Sequence, residues 1–98
     1  MKRLSEDQIK EELANVPHWE QVADRWIERK FTFENYLASI KFVERIALYA
    51  EEQQHHPIIH IQYKVVTLKM SSWQQKSLTE LDFKMATHFD QLYDRADK

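Results

Sequence analysis

The sequence predicts an α+β fold with two layers, in which a four-stranded antiparallel sheet carries helices packed on one face. Segments with apolar residues at helical spacing alternate with segments rich in β-branched and aromatic residues. The extended segments come in pairs joined by short turns, which indicates hairpins between helices and the order α-β-β-α-β-β-α. The 98 residues suit one domain, which we expect to span residues 1–98.

The first segment, SEDQIKEELANV, predicts a short amphipathic helix over residues 5–14. Ser5 is a good N-cap residue, and the acidic residues that follow it suit the positive end of a helix. Pro17 requires a stop before it. The apolar residues that recur at helical spacing are Ile9, Leu13 and Val16.

The next segment, HWEQVADRWIERKFTF, changes to an alternating pattern that predicts a β-hairpin. We expect strands over residues 18–22 and 25–33, joined by the turn ADR. We expect Trp19 and Trp26 to pack in or over the sheet rather than to contact a ligand.

A long amphipathic helix is predicted from Asn35 to Gln54, and Pro57 prevents it from continuing. Phe42 and Leu48 flank its main apolar stripe, so the helix could bury a second face. The residues of the stripe, which we expect to face the core, are Tyr36, Leu37, Ile40, Val43, Ile46, Ala47 and Ala50.

The segment IIHIQYKVVTLKM predicts a second hairpin because its apolar alternation shifts by one residue in the middle. A tight turn near residues 63–65 accounts for the shift. The final helix is predicted over residues 79–95, where Thr79 can cap and Asp82 stands three residues later. Its shared apolar face comprises Leu81, Met85, Phe89 and Leu92.

Composition excludes several classes of function. Fourteen Lys and Arg residues against 16 acidic ones give a formal charge of −2, so no basic field for direct binding of nucleic acid exists. The chain has no cysteine and no glycine, which excludes thiolate chemistry and glycine-rich phosphate loops. Turns with positive φ must therefore use Asn, Asp or a strained residue. The charged N-terminal segment and the lack of a long apolar run predict a cytoplasmic protein without membrane contact.

The stretch AEEQQHHPIIHIQY, residues 50–63, holds three of the five histidines. His55 and His56 could simply interact with the negative end of the long helix. Glu51, His55 and His60 could instead bind a metal, since residues four apart share a helix face. A third reading is acid–base chemistry, because imidazoles exchange protons near neutrality and Glu51 could fix a tautomer. The spacing alone leaves all three open.

The order of these residues resembles the pterin-4a-carbinolamine dehydratase family, whose members are also known as dimerisation cofactors of a homeodomain transcription factor. Glu51 precedes QQHHP, and Tyr63, Trp73 and Asp82 follow in IQYKV, SSW and LTELD. Upstream, RKFTFENYLASIKFVERIALYAEE is similar to the family's strand-to-helix segment. The resemblance covers about residues 20–95.

The resemblance implies dehydration of a 4a-hydroxytetrahydropterin to a quinonoid dihydropterin and water, a step in tetrahydrobiopterin recycling for aromatic amino acid hydroxylases. His55 would carry acid–base transfer, and His56 would bind the pterin and protonate the leaving hydroxyl. The residues implied to bind substrate or to support these histidines are Glu51, Pro57, Trp73 and Asp82. No metal, redox cofactor or other cofactor is implied, and the expected state is a homodimer or homotetramer.

The chain departs from the family pattern in this region, where QQKS stands in place of the glycines that usually follow in the loop. Trp73 stands where animal members commonly have a third histidine, and Gln54 replaces an acidic residue that often precedes the histidine pair. A tryptophan cannot carry a proton, but it can stack on a flat pterin and donate its N–H. Relatives of this fold without dehydratase activity act as assembly factors, so a non-catalytic dimerisation or assembly module is the alternative function.

Overall fold

The structure, a computed structural model, describes residues 2–98, and Met1, the first residue of the predicted domain, lies outside the described residues. The helices and strands follow the predicted order. They are α1 (Glu6–Asn15), β1 (Glu20–Val22), β2 (Trp26–Thr32), α2 (Tyr36–Gln53), β3 (Ile58–Gln62), β4 (Val65–Met70) and α3 (Glu80–Arg95).

The four strands form one antiparallel sheet in the order β1-β2-β4-β3. Both predicted hairpins are present, with the chain reversing over residues 23–25 and 63–64. Successive side chains of a strand point to opposite faces, so one face of the sheet is apolar and buried under the helices. Its fully buried residues are Ile27, Phe31, Val66, Leu68 and Met70. The α+β fold with helices on one face is therefore confirmed.

Helix α1 begins with a capping box, whose N-cap residue is the predicted Ser5. The Ser5 hydroxyl accepts the backbone N–H of Gln8 at 3.1 Å, and the Gln8 side chain accepts the backbone N–H of Ser5 at 2.8 Å. These bonds satisfy two amide groups that a helix start otherwise leaves without partners. Ile9 then packs into the core, which fixes α1 against the rest of the chain.

The predicted core face of α2 is confirmed at Ile46 and Ala50, which are buried, but it was wrong for the start of the stripe. Of the predicted stripe, Leu37 is 68% exposed and Tyr36 is 49% exposed, and Leu48 outside it is 64% exposed. Apolar residues occur on nearly every side of this helix, so periodicity alone could not choose between two apolar stripes. The small residues decide, because they let the helix approach the sheet closely. The buried residues of α2 are Ala38, Ser39, Phe42, Ile46 and Ala50.

Turns without glycine are built from residues forced into left-handed backbone conformations. Each left-handed non-glycine residue costs about 1–2 kcal/mol, so surrounding contacts must hold it. Of the expected alternatives, an Asp serves at Asp24, and strained residues serve at the other positive-φ positions among residues 2–98. Gln54 immediately precedes the histidine pair, and Lys76 lies in the loop that carries Trp73. The residues with positive φ are Ala23, Asp24, Gln54, Tyr63 and Lys76.

The sheet and α3 are joined by a partly buried polar cluster. One oxygen of Asp90 accepts the indole N–H of Trp19 at 2.9 Å and a guanidinium N–H of Arg29 at 2.6 Å. The Arg29 guanidinium also lies 4.3 Å from the centroid of the Phe31 ring. Trp19 is 4% exposed, which confirms that it packs in the core. The cluster ties β2 to α3, and none of these residues lines the cavity that contains the histidine pair.

In residues 2–98, no helix is both long and apolar enough to cross a membrane.

Candidate active site

A cavity of about 570 Å³ opens where the C-terminal end of α2, the loop between β4 and α3 and the first turn of α3 meet. It brings together both histidines of the predicted pair, with Pro57 and Trp73 beside them. Glu51 and Asp82 do not line it but each bonds one of the two histidines. The lining residues are Gln54, His55, His56, Pro57, Ser72, Trp73, Gln74, Gln75 and Leu81.

The end of α2 sets the direction in which the histidines leave the helix. Gln54 has φ 50° and ψ 43°, a left-handed conformation that reverses the chain. The backbone N–H of His55 then donates to the carbonyl of Ala50 at 3.2 Å, and the Gln54 side chain donates to the carbonyl of Glu51 at 2.8 Å. These bonds satisfy free carbonyl groups at the helix end. The histidines therefore lie on a fixed turn, not on the helix surface.

His55 is paired with a buried carboxylate from the other side of the cavity. Its Nε2 lies 2.7 Å from Oδ1 of Asp82, which is 27 residues further along the chain. The His55 side chain is 11% exposed and that of Asp82 is fully buried. An isolated charge in such a place would be costly, so partners must hold it.

Asp82 has those partners on its second oxygen. Oδ2 accepts the hydroxyl of Ser72 at 2.8 Å and the backbone N–H of Thr79 at 2.9 Å. The hydroxyls of Ser72 and Thr79 are 2.7 Å apart. Asp82 is also the third residue of α3, so one carboxylate both caps the helix and holds His55. Within residues 2–98, no buried side-chain nitrogen or oxygen lacks a hydrogen-bond partner.

His56 has a similar partner in a different environment. Its Nε2 lies 2.6 Å from Oε1 of Glu51. The side chain of His56 is 57% exposed and that of Glu51 is 69% exposed. Water and salt therefore screen this pair, whereas the pair formed by His55 and Asp82 is shielded from both.

The two pairs assign the same tautomer to both histidines. A carboxylate only accepts hydrogen bonds, so Nε2 of each ring carries the N–H that donates to Asp82 or Glu51. In the neutral ring the lone pair then resides on Nδ1. In the described part of the chain Nδ1 of His55 and of His56 has no protein hydrogen bond. Each ring thus keeps one nitrogen available for a proton of a bound molecule.

Trp73 forms a flat aromatic wall of the cavity. The loop that carries it is closed by a bridge between Ser72 and Ser77, and the backbone N–H of Lys76 donates to the carbonyl of Trp73 at 3.2 Å. Its side chain is 59% exposed, an unusually open position for so large an apolar group. Its ring contacts the ring of Trp26 edge to face, with centroids 5.5 Å apart.

The remaining histidines lie apart from the cavity. His60 lies on the outer face of the sheet beside Lys30 and Thr67, so Glu51, His55 and His60 are not brought together. Across residues 2–98, no group of three or more His, Asp or Glu side chains is placed to hold a metal ion. His88 stacks on Tyr49 at 3.8 Å between ring centroids. Burial raises the pKa of the Tyr49 phenol, and the nearby charge of Glu52 adds to the effect.

Comparison with protein families gives a match over nearly the whole chain. The family model described as pterin 4 alpha carbinolamine dehydratase matches residues 2–92, a range that contains every residue of the cavity. The chain belongs to the pterin-4-alpha-carbinolamine dehydratase family.

Curated relatives carry the same family name. A protein from Picosynechococcus named "Putative pterin-4-alpha-carbinolamine dehydratase" is 39% identical over 90 residues, covering 92% of this chain and 97% of its own. A protein of the same name from Aquifex aeolicus is 36% identical over 92 residues, covering 94% and 92%. The likeness therefore extends over whole chains and is not confined to the histidine motif.

Solved structures show the pterin dehydratase fold. A transcriptional coactivator/pterin dehydratase from Brucella melitensis superposes with a TM-score of 0.89 at 32% identity, covering 94% of this chain and 99% of its own. A pterin dehydratase-like protein identified as a RuBisCO assembly factor in the alpha-carboxysome superposes with a TM-score of 0.66 at 22% identity, covering 76% and 88%. The second likeness concerns the fold alone.

Sequence reasoning did not assign Ser72, Gln74, Gln75 or Leu81 to this candidate site, and it missed the link between Trp26 and the cavity wall. Ser72 lines the cavity and donates to Asp82, and its only signal was a polar residue directly before Trp73. Trp26 was expected to pack over the sheet, and it does, but its contact with Trp73 joins it to the cavity wall. No sequence pattern connects two tryptophans that are 47 positions apart on different elements.

Proposed function

We propose that the protein dehydrates 4a-hydroxytetrahydrobiopterin to quinonoid dihydrobiopterin and water. The observation that carries the proposal is the pair of histidines on one cavity, each held at Nε2 by a carboxylate. Elimination of water needs one group that gives a proton and one that takes a proton, and this arrangement supplies two such groups. Family membership supports the same reaction.

The proposed step divides the two proton transfers between the rings. Protonated His56 donates to the 4a-hydroxyl as its carbon–oxygen bond breaks, and the oxygen leaves as water. Neutral His55 takes the proton from the adjacent ring nitrogen through Nδ1, and the electron pair of that N–H bond forms the new carbon–nitrogen double bond. The Asp82 carboxylate then faces the positive charge on His55. Proton exchange with solvent restores both rings.

The remaining walls suit a flat, partly polar ring. Trp73 and Leu81 offer apolar surface, and Pro57 fixes the chain beside the histidines. The amides of Gln74 and Gln75 can pair with the amide-like edge of a pterin. A volume of about 570 Å³ lies within the usual range for small-molecule sites.

Stopped-flow measurement with freshly generated 4a-hydroxytetrahydrobiopterin tests the proposal. The wild-type protein should accelerate dehydration, and His55→Ala/His56→Ala should lose at least about 10²–10⁴-fold in kcat, the usual contribution of a general acid or base. His60→Ala is the matched control, because His60 lies on the outer face of the sheet and should keep the full rate. Full activity of the double variant would remove both histidines from the mechanism.

The alternative is a non-catalytic dimerisation or assembly module with the same fold. It predicts that the wild-type chain leaves the dehydration rate unchanged and binds another protein tightly. The retained pairs of His55 with Asp82 and of His56 with Glu51 favour the enzyme, since a docking module has no need of them.

Self-association is also part of the proposal. Leu37, Ile40 and Leu48 are exposed on one side of α2, at 68%, 36% and 64%, and β3 is an edge strand with Ile61 exposed at 37%. Exposed apolar side chains in this number support a homodimer or homotetramer. Light scattering after size exclusion checks it, and Leu37→Glu/Leu48→Glu should lower the measured mass.

We further propose that this activity serves tetrahydrobiopterin recycling for an aromatic amino acid hydroxylase in the cytoplasm. Reconstitution with such a hydroxylase should show faster recovery of the reduced pterin when this protein is added. Cell fractionation tests the location. Unchanged recovery despite active dehydration would argue against this pathway.

A further inference from the structure

Trp26 connects the cavity to the outer face of the sheet. It begins β2 with its half-buried side chain on the face opposite to the helices, the same face as Glu28 and Lys30. Its ring meets that of Trp73 at 86° between planes, with centroids 5.5 Å apart. An edge-to-face contact of this kind is attractive beyond the area that it buries.

A cation also contacts the Trp26 ring. The ammonium of Lys69 lies 5.1 Å from the centroid of the Trp26 ring. Lys69 is on β4, directly opposite Glu28 in the sheet. Lys69, Trp26 and Trp73 therefore form a continuous row, and its last member lines the cavity.

The side chain of Trp73 depends on this row for its orientation. Hydrogen bonds fix the backbone of its loop, but the side chain is 59% exposed and could rotate. In the described residues, Trp26 makes the only aromatic contact with the Trp73 ring. Removing Trp26 would thus free the ring without disturbing the pair formed by His55 and Asp82.

We propose that Trp26 is a positioning residue for the pterin site, which holds the Trp73 ring as a preformed flat wall before substrate binds. Lys69 in turn holds the Trp26 ring. The inference rests on the proposed dehydratase function. Ordering a side chain in advance lowers the entropic cost of binding, so the effect should fall on affinity and not on proton transfer.

The principal test compares Trp26→Leu with wild type. The KM for 4a-hydroxytetrahydrobiopterin and the Kd for 7,8-dihydrobiopterin should rise by about threefold to tenfold, as expected for one aromatic pair. The kcat and its pH profile should stay unchanged. Trp26→Phe should recover most of the affinity because it restores an aromatic edge at the same place.

A double-mutant cycle shows whether Trp26 acts through Trp73. Trp26→Leu should weaken binding no further in a Trp73→Leu background, because the ring that it positions is gone. Lys69→Met should raise KM by about twofold to fivefold. Lys30→Met is its matched control, as it removes a lysine from the same sheet face without a contact to either tryptophan, and it should leave KM unchanged.

Three results would overturn the inference: an unchanged KM in folded Trp26→Leu, additive effects in the double-mutant cycle, or a shifted pH profile of kcat. Should Trp26→Leu not fold, Lys69→Met provides the same comparison through a smaller effect. The exciton coupling between the indoles of Trp26 and Trp73 in circular dichroism should vanish in Trp26→Leu and in Trp73→Leu. This readout does not depend on whether the chain is a dehydratase. If the wild type binds 7,8-dihydrobiopterin without turnover, the proposed function fails while the affinity test of Trp26 stands.

Discussion

The two pairs of histidine and carboxylate in this cavity have the same geometry at Nε2 and opposite exposure. His55 and Asp82 are 2.7 Å apart in a site where the carboxylate is fully buried, whereas His56 and Glu51 are 2.6 Å apart with both side chains more than half exposed. The distance between the two atoms alone would suggest that both pairs are equally strong. Burial separates them, because water screens a charge pair at the surface and leaves one in the interior unscreened.

The difference also determines what each carboxylate can hold together. Asp82 bonds Ser72 and the first turn of α3 as well as His55, so folding and chemistry depend on one group. Among the described residues, the carboxylate of Glu51 bonds only the ring of His56. Substitution of Asp82 should therefore lower both stability and activity. Substitution of Glu51 should have a much smaller effect on either.

The largest effect is expected for Asp82→Ala. It leaves the Ser72 hydroxyl, the Thr79 amide and the His55 ring without their acceptor and removes the capping box of α3. We expect the free energy of unfolding to fall by about 3–5 kcal/mol, measured by urea denaturation. Glu51→Ala is the control and should change stability by at most about 1 kcal/mol. Equal losses in the two variants would contradict the contrast in burial.

Asp82→Asn separates chemistry from folding. The amide oxygen can still accept from Ser72 and Thr79, but the amide nitrogen donates, so Nε2 of His55 must become an acceptor and its proton must move to Nδ1. We expect a loss of about 10²-fold in kcat from the wrong tautomer, with stability reduced by only about 1 kcal/mol. The matched Glu51→Gln should retain kcat within about tenfold. Stopped-flow dehydration rates and urea denaturation measure the two quantities on the same samples.

Ser72→Ala gives a smaller effect on the buried pair alone. It removes one donor to Asp82 and one partner of the Thr79 hydroxyl, which should cost about 1–2 kcal/mol in the free energy of unfolding. Ser72→Thr keeps the hydroxyl and should recover most of the loss. If Ser72→Ala were as stable as wild type, the hydroxyl would contribute nothing to holding the carboxylate.

The smallest effect is the salt dependence of the exposed pair. Raising ionic strength from about 0.05 M to about 0.5 M shortens the screening length several-fold, so it should erase most of the activity difference between wild type and Glu51→Gln. The difference between wild type and Asp82→Asn should persist, because that pair is buried. A salt response of equal size in both comparisons would show that the exposed and the buried pair do not differ in screening.

Much of the fold could be predicted because local signals agree with the tertiary arrangement. The capping residues Ser5 and Thr79 mark helix starts within one residue, and the shift in alternation places the turn at Tyr63. The core face of α2 could not be predicted in the same way. Its apolar residues are spread around the helix, and the choice fell to the small residues Ala38 and Ser39, which allow close packing on the sheet.

In the candidate site, too, some features could be predicted from the local sequence and others could not. The sequence alone determined that His55 and His56 leave a helix together, because Pro57 forbids its continuation and the helix pattern stops there. The spacing of four residues predicted that Glu51 and His55 share a helix face. The left-handed turn at Gln54 instead brings the ring of His56 to the Glu51 carboxylate. The partner of His55 comes from α3, 27 residues away, and only packing of that helix against α2 brings it within reach. Local sequence fixes where an element ends, whereas contacts between distant elements are decided by the packing of the whole core.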